Sequence, residues 1–109
     1  MAYDEGLAQR IRESLEDTRG VSERKMFGGL AFLLNGNMAC GVVGEDLMVR
    51  VGPDAYAESL EVPHAREMNF TGRPMRGLVY VSSPGFEADS DLAFWVARGV
   101  AFAQSLPSK

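Results

Sequence analysis

Cys40 and His64, the only thiol and the only imidazole of the chain, are the residues with which nucleophilic chemistry could be done. A catalytic cysteine needs an accessible, electropositive setting that lowers the pKa of its thiol. Cys40 instead lies within the apolar run Met38–Val43, where a cysteine acts as a small hydrophobic residue. His64 follows Pro63 in a loop-like stretch, and we expect it to be solvated. We therefore predict no catalytic residues, no metal site and no cofactor.

Four cations near glycine-containing stretches could bind an anion. Arg24 and Lys25 precede the pair Gly28–Gly29, and Arg73 and Arg76 lie in a second glycine-containing loop. The guanidinium group suits bidentate contacts with phosphate or carboxylate. The glycine pair lacks the spacing and the following Lys-Ser/Thr of a phosphate-binding loop, so it favours a bulge or a tight bend. Two interpretations stay open, an arginine-lined anion or small-molecule site with unrecognised enzymatic activity, or surface cations paired with acids.

Composition narrows the class of protein. The chain of 109 residues has 11 basic and 15 acidic side chains, a net charge of −4, which disfavours direct binding to nucleic acid. This length predicts one domain over residues 1–109. Even with Met26 and Phe27 counted, the apolar run that contains Gly28–Leu34 is far shorter than the about 20 residues of a membrane helix. Because the start Met1–Glu5 is also unlike a signal peptide, we expect a cytoplasmic protein with no membrane contact.

Three helices are predicted around these residues. Asp4 is a helix N-cap candidate and Gly20 a stop signal, so the first helix spans 4–18. Pro53 begins a short helix that ends at Leu60. The last helix spans 89–106 and carries an apolar stripe at helical spacing, made of Leu92, Trp95, Val96, Gly99, Phe102, Ala103 and Leu106.

Consecutive strands lie between the helices. A charged edge strand, Val21–Phe27, precedes two apolar central strands, and Asn35-Gly36-Asn37 is a hairpin signal between them. Alternation predicts a half-exposed strand Leu47–Val51. Two further strands are predicted at Glu67–Phe70 and Leu78–Val81. This order, a meander plus a hairpin packed by N- and C-terminal helices, predicts an α+β fold with an antiparallel sheet.

A second, narrower apolar flank on the last helix consists of Phe94, Ala97 and Ala101. Such a wide apolar surface exceeds what one contact with a sheet needs, and it favours a protein interface. A side prediction is a homodimer through this flank or through the edge strand Val21–Phe27.

Several segments together resemble the N-terminal domain of the TfoX/Sxy family, over about residues 7–103. They include Gly44–Val51, Phe70–Gly77 and Trp95 in the last helix. The most specific is a basic pair followed by Met-Phe-Gly-Gly, namely Arg24, Lys25, Met26, Phe27, Gly28 and Gly29.

The resemblance implies an α+β fold similar to that of secretion chaperones. It also implies a link to bacterial competence regulation, in which members of the family act with a cyclic-AMP-dependent transcription activator. It supplies no catalytic residues. We expect a stand-alone N-terminal domain without the second, helical domain of full-length members. The leading hypothesis is a non-enzymatic regulatory or adaptor domain that acts by contact with a protein partner, a transcription regulator being the implied one.

Overall fold

The computed structural model describes residues 3–26, 28–67 and 77–108. Within these residues helices and strands follow the predicted order, with a short 3₁₀ turn at Ser83–Gly85 before the last helix. In chain order the elements are α1 (Glu5–Ser14), β1 (Val21–Met26), β2 (Gly29–Leu34), β3 (Asn37–Val43), β4 (Asp46–Arg50), α2 (Pro53–Leu60), β5 (Ala65–Glu67), β6 (Leu78–Val81) and α3 (Asp89–Gln104).

The strands form one antiparallel sheet in the order β1-β2-β3-β4-β6-β5. The predicted meander is β1 to β4, and β6 then pairs with β4 while β5 lies outside β6. The hairpin turn between β2 and β3 is formed by Asn35 at φ 52° and Gly36 at φ 86°, the two positive angles that a type I′ turn needs. β1 is at one edge of the sheet, as predicted. The predicted α+β fold with a meander is confirmed.

The first helix begins as predicted and ends earlier. The Asp4 carboxylate accepts hydrogen bonds from the backbone N–H groups of Gly6 and Leu7, at 2.8 and 3.2 Å. The predicted end at Thr18 is wrong, because α1 ends at Ser14. Beyond that residue the backbone forms turns with hydrogen bonds between residues three apart, for example from the Thr18 N–H to the carbonyl of Leu15 at 2.9 Å.

The prediction that β4 is half-exposed is wrong. Leu47 and Val49 are buried on the side of the sheet that the helices cover, and Met48, on the other side, is also 0% exposed. Met48 belongs to a second apolar cluster together with Ala31, Leu33, Met38 and Leu78. The prediction took Met48 as part of a solvent-exposed face because it alternates with Leu47 and Val49. Methionine is itself apolar, however, so both faces of the strand can be buried here.

The strand predicted at Glu67–Phe70 begins two residues earlier than predicted, at Ala65. β5 spans Ala65–Glu67 and pairs with β6, Ala65 lying opposite Val81. Positions 68–70 lie outside the described residues. β5 follows His64, which has a φ of 73° and so turns the chain into the strand.

The helices lie on one face of the sheet, over the main core. α3 packs on β3 and β4, and α1 packs on α3. Trp95 of α3 is 1% exposed, and Gly99 permits close approach, because a Cβ there would clash with the carbonyl oxygen of Ala39 on β3. In the described part of the chain, no helix has both the length and the apolar character needed to cross a membrane.

Candidate functional site

The thiol and the imidazole do not form a reactive pair. Cys40 is completely buried in β3, and this burial raises the pKa of its thiol to about 12. His64 is exposed, as predicted, in the loop between α2 and β5. A thiol with so high a pKa is not a nucleophile at neutral pH. Among residues 3–26, 28–67 and 77–108, no group of three or more His, Cys, Asp and Glu side chains could hold a metal ion.

Two of the four predicted anion-binding cations can be placed. Arg24 and Lys25 are both exposed on β1. As neighbours in a strand they point to opposite faces of the sheet. Lys25 lies opposite Leu30 of the main core, and Arg24 lies opposite Ala31 of the second cluster. The structure therefore does not bring this pair together on one face.

The other two predicted cations, Arg73 and Arg76, lie outside the described residues, so their place in an anion site stays a prediction. Four other arginines form ion pairs with carboxylates. These pairs are Arg10–Asp89 at 3.2 Å, Arg12–Glu23 at 2.7 Å, Arg66–Asp46 at 2.6 Å and Arg98–Glu58 at 3.4 Å.

The family motif forms the turn between β1 and β2. Met26 ends β1, Gly28 has a φ of 75° and Gly29 begins β2, while Phe27 lies outside the described residues. A Cβ at Gly29 would clash with the carbonyl oxygen of Val42 on β3. The two glycines therefore serve backbone geometry, as the bend interpretation of the sequence expected.

The ion pair of Arg12 with Glu23 ties the edge strand to the helix layer. Arg12 Nε donates to Glu23 Oε2 at 2.7 Å and Nη2 donates to Oε1 at 3.0 Å. This bidentate contact lowers the pKa of Glu23 from its ordinary value. β1 is thereby held against α1 by its charged side chains.

A polar cluster on the other face of the sheet was missed by sequence reasoning. Arg66 Nη2 donates to Asp46 at 2.6 Å, Nη1 donates to Ser82 Oγ at 2.8 Å, and the guanidinium lies 5.1 Å from the centre of the Tyr80 ring. Burial, followed by the charge of Asp46, raises the pKa of Tyr80. No sequence signal could have found this cluster, because strand pairing alone brings these separate positions together.

The outer surface of α3 carries a line of uncharged side chains. Ser90, Phe94, Ala97 and Ala101 lie along one exposed line at helical spacing, here called the α3 ridge. Phe94 is 43% exposed, and in the described part of the chain it is the one large hydrophobic residue classed as exposed. Its ring packs edge-on against Trp95, with ring centres 5.2 Å apart, which connects the ridge to the core. Phe94, Ala97 and Ala101 of the predicted flank are therefore exposed, and their role as an interface stays a prediction.

A groove runs along each side of the ridge. Arg98 separates Phe94 from the α2 side, with its guanidinium 4.8 Å from the centre of the Phe94 ring. The groove towards α1 has a volume of about 320 Å³ and is lined by Ser14, Leu15, Thr18, Ala93, Val96, Ala97 and Val100. The groove towards α2 has a volume of about 340 Å³ and is lined by Val51, Pro53, Asp54, Ala55, Arg98, Ala101, Phe102 and Ser105.

Comparison with known proteins identifies the family of this chain. The family model described as the TfoX N-terminal domain matches residues 13–103, which is most of the 109-residue chain. No curated protein and no solved structure matches the chain. The matched range includes β1 to β6 and nearly all of α3, and therefore both the glycine turn and the ridge. The chain belongs to the TfoX N-terminal domain family.

Proposed function

We propose that this domain is a non-enzymatic regulatory or adaptor module of the bacterial cytoplasm, and that it binds a protein partner through the α3 ridge. The observation that carries the proposal is the exposure of Phe94, Ala97 and Ala101 on one uncharged line of α3. The outer face of a surface helix ordinarily carries charged side chains. An exposed apolar face with polar surroundings is typical of a protein interface.

The shape of the surface supports the same role. Phe94 is the large aromatic side chain exposed on the ridge, and aromatic side chains are frequent anchors of binding energy at interfaces. The two grooves offer apolar space for side chains of a partner on both sides of it. Because Phe94 contacts Trp95, the anchor is supported by the rigid core and needs little ordering on binding.

The chemistry of the described residues supports binding over catalysis. Cys40 is inaccessible and has a raised pKa, and the carboxylates of Glu23 and Asp46 are occupied by arginines. The TfoX N-terminal domain family is not a known enzyme family. A transcription regulator is the partner class that the family resemblance implies. The net charge of −4 favours contact with protein over direct contact with nucleic acid.

Site-specific photocrosslinking tests the proposal. Phe94 is replaced by a photoreactive phenylalanine analogue, and the protein is irradiated in its native cytosol. The matched control carries the same analogue at Glu45, an exposed residue in the turn between β3 and β4. We expect a discrete crosslinked protein from position 94 and none from position 45. Equal products from both positions would refute the proposed role of the ridge. So would the absence of any product from position 94, if Phe94→Glu also leaves the phenotype of the cell unchanged.

A further inference from the structure

We infer that a second copy of this chain occupies the α3 ridge, with the two α3 helices packed antiparallel about a two-fold axis beside Phe94. The inference rests on the proposed role of the ridge as a protein interface, and it assigns that interface to a second copy of this chain in place of a transcription regulator. A two-fold interface must be self-complementary, since the same patch is present on both sides. The charges that border the ridge meet this condition.

Asp91 and Arg98 are seven residues apart in α3 and therefore lie on the same side of the ridge. In an antiparallel pair, equivalent sides of the two helices face each other. Asp91 of one copy can then meet Arg98 of the other, and this happens twice. The register that does so places the two-fold axis between positions 94 and 95. Phe94, the exposed aromatic residue of the ridge, then packs against its own copy.

The contacts already made by Arg98 leave room for a second carboxylate. Its Nη1 donates to Ser59 Oγ at 2.8 Å and lies 3.4 Å from Glu58 Oε1, and its guanidinium lies over the Phe94 ring. Among the described residues, Nε and Nη2 of Arg98 make no hydrogen bond to a side chain. Asp91 is exposed at the start of α3. In the dimer Arg98 lies between Glu58 of its own chain and Asp91 of the other, an arrangement that neutralises part of the acidic charge.

The small residues of the ridge permit this approach. Ala97 and Ala101 have short side chains, so beyond the central Phe94 pair they leave room for the partner helix at an interaxial distance within the usual range of about 8–10 Å. Phe94 lies near the centre, where aromatic contacts contribute most to an interface. Ala97, Ala101 and the line between them carry no charge that would oppose pairing.

Sedimentation equilibrium of the purified chain, from low to high micromolar concentration, tests the dimer. We expect Asp91→Arg, which sets two arginines against each other, to raise the dimer dissociation constant roughly tenfold, equivalent to about 1.4 kcal/mol. The double change Asp91→Arg with Arg98→Asp restores the opposite charges and should recover the affinity of the original chain. Glu45→Arg makes the same change of charge away from the ridge and should leave the equilibrium unchanged.

A cysteine test of the register does not depend on the folding of the Arg98 variant. Phe94→Cys should form a disulfide-linked dimer under mild oxidation, because the axis brings the two copies of position 94 together. Ala101→Cys should not, since its two copies are separated by more than the about 7 Å that a disulfide spans. Cys40 is buried and does not compete.

Three results would overturn the inference: a monomer at high micromolar concentration, no rescue by a folded double variant, or crosslinking at position 101 in place of 94. In the first case, a photocrosslink from position 94 to a different protein would keep the proposed function and reject only the second copy as its partner.

Discussion

Gly99 decides how closely α3 approaches the sheet, and its replacement by alanine is a sharp test of the packing. An alanine in the middle of a helix ordinarily stabilises it by about 1 kcal/mol relative to glycine. At Gly99, however, the new Cβ would clash with the carbonyl oxygen of Ala39 and lie 3.0 Å from its carbonyl carbon. We therefore expect Gly99→Ala to destabilise the protein despite its better helix propensity.

The magnitude follows from the balance of these two effects. Overpacking a tight contact usually costs about 1–3 kcal/mol. The upper end applies here because the clashing atoms of Ala39 belong to the backbone of a central strand and cannot rotate away. A methyl group of Val49 also lies 3.4 Å from the same Cβ position. Subtracting the gain in helix propensity leaves a net loss of about 2 kcal/mol. For a domain of this size the Tm should fall by about 10 °C.

Urea denaturation followed by far-ultraviolet circular dichroism and tryptophan fluorescence measures the effect. Trp95, the only tryptophan, lies one helical turn before Gly99 and reports on the same contact. Gly6→Ala is the matched control, because its new Cβ would lie 3.2 Å from the capping Asp4 carboxylate, which needs to shift by only a few tenths of an ångström, and would meet no backbone atom. This control should change the stability by less than Gly99→Ala does. A Gly99→Ala protein as stable as the original chain would refute the close approach of α3 to β3.

Three further predictions concern single contacts. Because Arg12 lowers the pKa of Glu23, the contribution of this pair is present above the unfolded pKa of about 4.3 and is lost as the pH falls through the lower folded value. Glu23→Gln should therefore cost at most about 1 kcal/mol in urea denaturation at pH 7, with the difference vanishing near pH 2, and an equal loss at both would contradict the pair. Cys40, with a pKa raised to about 12, should react with a thiol reagent at pH 8 only as fast as the protein unfolds, and faster labelling of folded protein would contradict its burial. His64→Gly should raise the unfolding free energy by about 1 kcal/mol, because glycine adopts the φ of 73° without strain, whereas His64→Ala should bring no such gain.

Local sequence signals predicted the elements that depend on local physics. α2 begins at Pro53 and ends at Leu60 as predicted, because proline favours a first helical position. Asn35 and Gly36 form the predicted turn, because both accept a positive φ. Two other local predictions failed. α1 ends early because the chain closes into turns after Ser14, and Met48 is buried because apolar residues of neighbouring strands pack on it.

Some features of the candidate site could likewise be predicted from the sequence, and others could not. The exposure of Phe94, Ala97 and Ala101 follows from helical periodicity, which was visible in the chain. The grooves beside them could not be predicted, because they are formed by α1 and α2, which reach α3 only through the fold. For Arg24 and Lys25 the strand period alone separates the two side chains.

Residue order by itself determined the helices, most of the strands, the turns and the apolar side of α3, since each of these depends on neighbours within a few positions. The tertiary structure alone decided that β6 lies between β4 and β5, that Arg66 meets Asp46 and Tyr80, and that α3 rests directly on the backbone of β3. These contacts join positions far apart in the chain, and their stability depends on the combined burial of the strands and helices in the described ranges, which no local pattern encodes.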